Sequence, residues 1–323
     1  MSPALVLALD LGTTGVRALV VADDGTVRGR AWQPLTTRFP APGLVEQDPA
    51  AWWRQGLEVA REALARAGAT GRDLAAVGVV SQRATAVAWD GPSGRPLAPA
   101  IGWQDTRTAD RVRALQAAGV HASSMSSAVK FEWLLGHVPE VVAAAREGRL
   151  RLGTPDAWLG DRLTGGAAFV TDPGQGSCTG LWDLAGGRWH AGALARFGLE
   201  PTWLPSVAAT SGIAGVTDST HFGVEIPWAS RAGDQQAAAF GQQVHRPGAA
   251  KLTLGTSAML DLHTGAAPVR PPRGAYPLAL WTHAGGEAAF GLEGSVVTAG
   301  ASIGWLGDLG RRARAADAGA GAR

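Results

Sequence analysis

The chain has 323 residues, a length that suits two domains and a sizeable buried core. Hydrophobic residues make up 46% and charged residues 17%, which excludes an intrinsically disordered chain. The formal net charge is +2, and no run of basic residues precedes the extreme C-terminus, so neither a nucleic-acid nor a membrane-surface partner is indicated.

The N-terminal run Ala4–Leu9 is apolar, ends at Asp10 and reads as a first strand, not a signal peptide. Leu11–Gly15 then turns the chain into a second β-branched run. Asp24-Gly25 marks a hairpin into a third strand. Asp48-Pro49 supplies an N-cap and a first-turn proline to a helix that closes at Gly68. Buried strands are expected at Ala75–Val80 and Thr85–Trp89, and helices at Thr106–Gly119 and Val129–His137. Leu150–Gly153 reads as a strand, and Thr154-Pro155-Asp156 opens a helix to about Thr164. Gly165–Gly187, rich in Gly, Asp, Ser and Thr, reads as loops and a hairpin. Further strands are expected at Ile226–Ala229, Lys251–Leu254, Met259–His263 and Ala288–Leu292. Helices are expected at Gln235–Gln243 and Ser295–Leu309. Strands alternating with helices after an opening meander argue an α/β architecture. The final RRARAADAGAGAR has no apolar period and reads as a disordered tail.

One cysteine, Cys178, excludes an intrachain disulfide and a four-cysteine zinc site, and fits a reducing cytoplasm. No apolar stretch reaches the ~18 residues of a membrane span. HExxH is absent and no GxGxxG follows the first strand, which removes metalloprotease and dinucleotide readings.

Four segments carry candidate chemistry. In LDLGTTG a strand delivers Asp10 to a turn of Gly12, Thr13, Thr14 and Gly15. Backbone N–H groups and hydroxyls there can face an anion, with the carboxylate near a hydrated Mg2+. The same spacing reads equally as an ordinary hairpin with an acid at its edge, and no Walker lysine follows. In AGDQQ, Asp234 sits between a strand and a helix; it reads first as an N-cap, and alternatively as a general base. Arg83, after a buried strand, reads as a surface ion pair or a ligand for substrate oxygens. Trp103 reads as core packing or a wall against a sugar's carbon face. A short echo links LALDLGTTG to KLTLGTSAM around residue 255, each a strand, a Gly-Thr turn and a strand.

Taken together, LALDLGTTGVRALV, GLVEQDPAAWW, VGVVSQRATAVAWD, AIGWQDTR, AGDQQAAAFGQ, LTLGTSAMLDLHTG and LEGSVVTAGASIGWL resemble the FGGY carbohydrate kinases, with the glycerol kinase branch the nearest likeness. The seven motifs stand in family order from residue 4 to about residue 308. The resemblance implies an actin-like ATPase (RNase H-like) fold of two domains that close over ATP, Mg2+ and a polyol or sugar. Carried over by position, it implies that Thr13, Thr14, Gly15 and Arg17 face the nucleotide phosphates, with Asp10 near the metal and Thr256 and Gly300 on the nucleotide. It assigns the polyol to Arg83, Trp103, Asp234 and Gln235, with Asp234 as general base.

Several positions depart from that pattern. Where glycerol kinases carry a Glu after the substrate arginine, this chain has Ala84. Met125 and Met259 stand where aromatic residues are expected, and Gly304 replaces a Gln. The expected organisation is an N-terminal domain over 1–245, a partial second domain over 246–310 and a tail over 311–323, with a truncated or frameshifted gene product as the explanation. The open edge of an incomplete domain leaves room for self-association. Beside the kinase reading stand two others: a catalytically inactive remnant that keeps the substrate half, and a non-enzymatic partner-binding module on the same fold.

Overall fold

A computed structural model describes residues 4–309 apart from 256, 297, 301 and 308. The expected tail lies outside them.

Strands β1 (Leu5–Leu11), β2 (Gly15–Ala22) and β3 (Val27–Pro34) form the opening antiparallel meander. Helix α1 (Pro49–Ala67) starts where Asp48 accepts the N–H of Ala50. It stops at Gly68, whose left-handed φ of 63° lets its N–H reach back to the last turn. Strand β4 (Leu74–Ser81) returns beside β1 in parallel, and β5 (Val87–Asp90) follows. Helices α2 (Ala109–Ala117), α3 (Ser127–His137) and α4 (Pro139–Arg146) lead to β6 (Leu150–Gly153), which pairs with β5. Next come α5 (Pro155–Leu163), α6 (Pro173–Cys178) and α7 (Ala191–Phe197), then β7 (Ser211–Val216), β8 (Pro227–Gly233) and α8 (Asp234–Gly241). The last strands are β9 (Ala250–Leu254), β10 (Ala258–Gly265), β11 (Ala275–Thr282) and β12 (Ala288–Val296).

The chain divides into two units, Met1–Ala237 with Trp281–Ala288, and Ala238–Leu280 with Ala289–Arg323. The first is built on a six-stranded sheet of order β7-β8-β4-β1-β2-β3, with β8, β4 and β1 parallel. Leu7, Leu9, Leu11, Val16, Val77 and Val79 of the sheet join Trp52 and Val59 of α1, Trp158 of α5 and Trp228 of β8 in one core. Each fully buried large side chain contributes roughly 1.5–3 kcal/mol by leaving water. A second core gathers Ala86, Ile101, Phe131, Leu134, Leu152 and Phe197 around β5 and β6. The second unit is a four-stranded sheet of order β9-β10-β12-β11. Its β9–β10 hairpin repeats the β1–β2 hairpin: Gly12 N–H donates to Gly15 O at 3.0 Å, and Gly255 N–H to Ser257 O at 2.9 Å.

Local expectations fail where tertiary contacts decide. The glycine-rich 165–187 stretch contains α6: Asp172 caps it through the Gln175 N–H, and the Gln175 side chain bonds Ser81, so a poor helix sequence is held from outside. The strand expected to end at Leu292 runs on to Val296, because its residues pair with β10 as far as Ala258. This places helical backbone from Gly300, not from Ser295.

Candidate functional site

Three strands of the first sheet end at one level. Leu11 of β1 lies opposite Ser81 of β4, and Ser81 opposite Gly233 of β8. The residues on either side of this row therefore gather at one rim: Asp10, Gly12, Gln82 and Asp234. Positions separated by more than 220 residues in sequence meet because parallel strands share a C-terminal edge.

Asp234 opens α8, and one of its oxygens accepts the Gln235 N–H at 2.8 Å. Its carboxylate is also paired: Arg83 Nε lies 3.4 Å from Asp234 Oδ1. Arg83 is buried to 8% exposure, so it is not a surface ion pair, and its guanidinium also reaches Cys178 Sγ at 3.6 Å. Gly233 is required here, since a Cβ would stand 2.6 Å from Arg83 Cδ and 2.4 Å from Gln236 Oε1. Gln235 is half-buried.

Asp10 is ion-paired to Arg17 at 3.0 Å. Burial raises its carboxyl from 3.8 to about 6; Arg17 opposes the rise and the negative charge of Asp234 adds to it. Its Oδ1 is buried without a hydrogen-bond partner among the described residues. An orphaned carboxyl oxygen beside a second acid fits a hydrated divalent cation, which takes one or two carboxylates and keeps several waters. Among the described residues no group of three or more His, Cys, Asp or Glu could hold a metal by itself.

The Gly-Thr turn is wired into the interior. Thr13 Oγ1 accepts the Trp103 indole N–H at 3.0 Å, and its carbonyl accepts Gln47 Nε2 at 2.7 Å. Gln82 Nε2 donates to Gln47 Oε1 at 2.8 Å, Thr85 donates to Gln82 Oε1 at 3.2 Å, and Trp103 N–H returns to Thr85 at 3.2 Å. Trp103 is thus tethered to the turn through its indole and to Thr85 through its backbone. Thr14 is exposed, its carbonyl bonded to the Leu35 N–H, and Arg17 is exposed beside Asp10. Gly15 is covered by Trp32, where a Cβ would fall 2.3 Å from the indole nitrogen. Gln47, Gln82, Thr85 and Gln175 carry this network and were not singled out from sequence. The only signal was their position inside the EQDP and SQRAT segments or beside Asp172-Pro173.

In the second unit Gly300 donates its N–H to Gly255 O at 2.9 Å, which ties it to the Gly-Thr turn there. Thr256 lies outside the described residues.

Comparison with known proteins identifies the assembly. Residues 5–241 match the N-terminal domain of the FGGY family of carbohydrate kinases. The chain belongs to that family. Its fold is the actin-like ATPase fold that FGGY kinases share. A glycerol kinase of Aromatoleum aromaticum is 44% identical over 97% of this chain. The glycerol kinase of Plasmodium falciparum, solved with ADP, superposes with a TM-score of 0.88 at 26% identity, over 94% of this chain and 63% of that one. A xylulose kinase from Rhodospirillum rubrum gives 0.81 at 25% identity. The chain spans 65% of the length of the Aromatoleum relative. Against the FGGY pattern, Ala84 is buried with a φ of 60°, Met259 is buried on β10, Met125 is half-buried, and Gly304 is exposed. No described helix is long and apolar enough to cross a membrane.

Proposed function

We propose that this chain carries the substrate and phosphate half of an ATP-dependent kinase that phosphorylates a primary hydroxyl of a polyol or sugar, with glycerol the first candidate. The observation that carries the reading is the Arg83–Asp234 pair at 3.4 Å, set beside Asp10 at the ends of adjacent parallel strands. Arg83 binds the polyol oxygens, and Trp103 and Gln235 flank them. Asp234 accepts the proton of the reacting hydroxyl, which attacks the γ-phosphoryl group in line. Thr13, Thr14, Gly15 and Arg17 face the phosphates from the β1–β2 turn, and Thr256 and Gly300 contribute nucleotide contacts from the second unit. Bound near Asp10, Mg2+ would neutralise phosphate charge. Glycerol is favoured by the 44% identity to a glycerol kinase, and other polyols or ketoses by Ala84, which removes an acceptor for one substrate hydroxyl.

A coupled ADP-release assay with Mg-ATP tests the proposal across glycerol, other polyols and ketoses. Substrate-dependent release that disappears in Asp234→Asn is the expected outcome. Release that survives this substitution removes Asp234 as the base. Polyol binding without release from a folded chain removes turnover and leaves a binding protein.

A further inference from the structure

Lys130 of α3 is fully buried, yet its ammonium has one hydrogen-bond acceptor among the described residues, the carbonyl of Ala84 at 2.8 Å. Burial pushes the ammonium down to about 7; Asp105 opposes this and Arg107 adds to it. Burying a cation with so few partners is costly, and packing alone would favour an apolar side chain of the same length.

What Lys130 holds is a strained corner. Ala84 has a φ of 60°, in the left-handed region that non-glycine residues adopt only against resistance. The corner follows directly on Arg83. From it the Arg83 side chain passes over Gly233 at a distance no Cβ would allow, then reaches Asp234 and Cys178.

We propose that Lys130 is a positioning residue that, through the Ala84 carbonyl, fixes the corner from which Arg83 is aimed at Asp234. The consequence for turnover rests on the kinase reading above; the structural consequence does not.

Cys178 is the only cysteine of the chain, so its alkylation rate against pH reports on Arg83 without any substrate. A guanidinium beside a thiol favours the thiolate. Arg83→Met should move the midpoint of the rate curve up by about half to one pH unit, slowing the reaction at pH 7 by roughly three- to tenfold. Lys130→Met, folded by circular dichroism, should reproduce most of that shift. Lys130→Gln, which keeps an N–H for the carbonyl, should recover part of it. Adding Lys130→Met to Arg83→Met should change nothing more, because one acts through the other. Ala84→Gly removes the resistance at that φ, so with Lys130 intact it should leave the curve in place, and in the Lys130→Met background it should restore part of the shift. In the ADP-release assay Lys130→Met should raise KM for the polyol by a larger factor than it lowers kcat. A folded Lys130→Met with the wild-type curve overturns the proposal. So does an equal extra shift in the Arg83→Met background, or, should both Lys130 variants fail to fold, a Lys130→Met/Ala84→Gly chain that regains no stability. Absence of polyol-dependent ADP release from the wild-type chain would sink the kinase reading alone.

Discussion

Two glycines on helices of the first unit make opposite predictions for one substitution. Gly160 lies on α5 against Trp228 of β8. A Cβ there would stand 2.0, 2.5 and 2.7 Å from three atoms of the indole ring. Carbon atoms settle at ~3.5–4 Å, so helix or ring must move by about 1.5 Å. Neither yields easily. Trp228 is fully buried, its indole N–H is bonded to Ser230 O at 3.0 Å, and the Arg231 guanidinium sits 5.1 Å from its ring centre. Overpacking of this kind costs about 3 kcal/mol or more, against a helix-propensity gain of about 1 kcal/mol for Gly→Ala. Packing wins, and Gly160→Ala should lose about 2 kcal/mol. On α3, a Cβ at Gly136 meets nothing within 4 Å. Gly136→Ala should therefore keep the propensity gain of about 0.5–1 kcal/mol. Urea unfolding of both variants beside the parent, followed by far-UV circular dichroism with slopes compared, measures the difference. If both variants move the midpoint in the same direction, the assignment of Gly160 to ring clearance is refuted.

Burial raises the Asp172 carboxyl from 3.8 to about 6, so the fold holds that proton to higher pH than the unfolded chain does. The stability it lends is full below pH 3.8 and lost as pH rises to about 6. Asp172→Asn keeps one oxygen to accept the Gln175 N–H, and its NH2 faces the Thr210 hydroxyl, which can turn to accept. It should stabilise the protein by about 1–3 kcal/mol at pH 7 and by nothing at pH 4, read from urea midpoints at the two pH values. In the second unit Lys251 and Asp261 form a buried ion pair at 2.8 Å across β9 and β10. Lys251→Met leaves the acid uncompensated and should cost about 3–5 kcal/mol; a thermal melt within error of the parent would contradict this.

The elements most legible in the sequence carry their own boundary chemistry. The helix between Asp48-Pro49 and Gly68 needed only its cap, its proline and its glycine. The opening meander needed Asp24-Gly25 and its β-branched runs. Helix α6 was hidden because Gly174 and Gly176 speak against a helix; the Asp172 cap and the Gln175–Ser81 bond across the fold hold it. The site divides the same way. Asp10, Arg83, Trp103 and Asp234 stood out as charges or an aromatic at strand ends and turns. Gln47, Gln82 and Thr85 are uncharged residues whose value is each other, and separations such as the 35 residues between Gln47 and Gln82 leave no local trace. Lys130 was visible as one of two lysines, but its purpose lies in the conformation of Ala84.

The shared rim of β1, β4 and β8 also sets a schedule. The β1–β3 meander can pair as soon as it leaves the ribosome, since its contacts are local. Asp234 reaches Arg83 only after β8 has docked on β4, across about 150 residues of intervening chain. The β1–β2 hairpin and the capped helix α1 are thus complete in sequence well before the Arg83–Asp234 pair can form. A chain arrested before residue 234 would carry Asp10 and Arg83 with no acid to face the arginine. The Arg83–Asp234 pair therefore cannot form until β8 has been made and has docked.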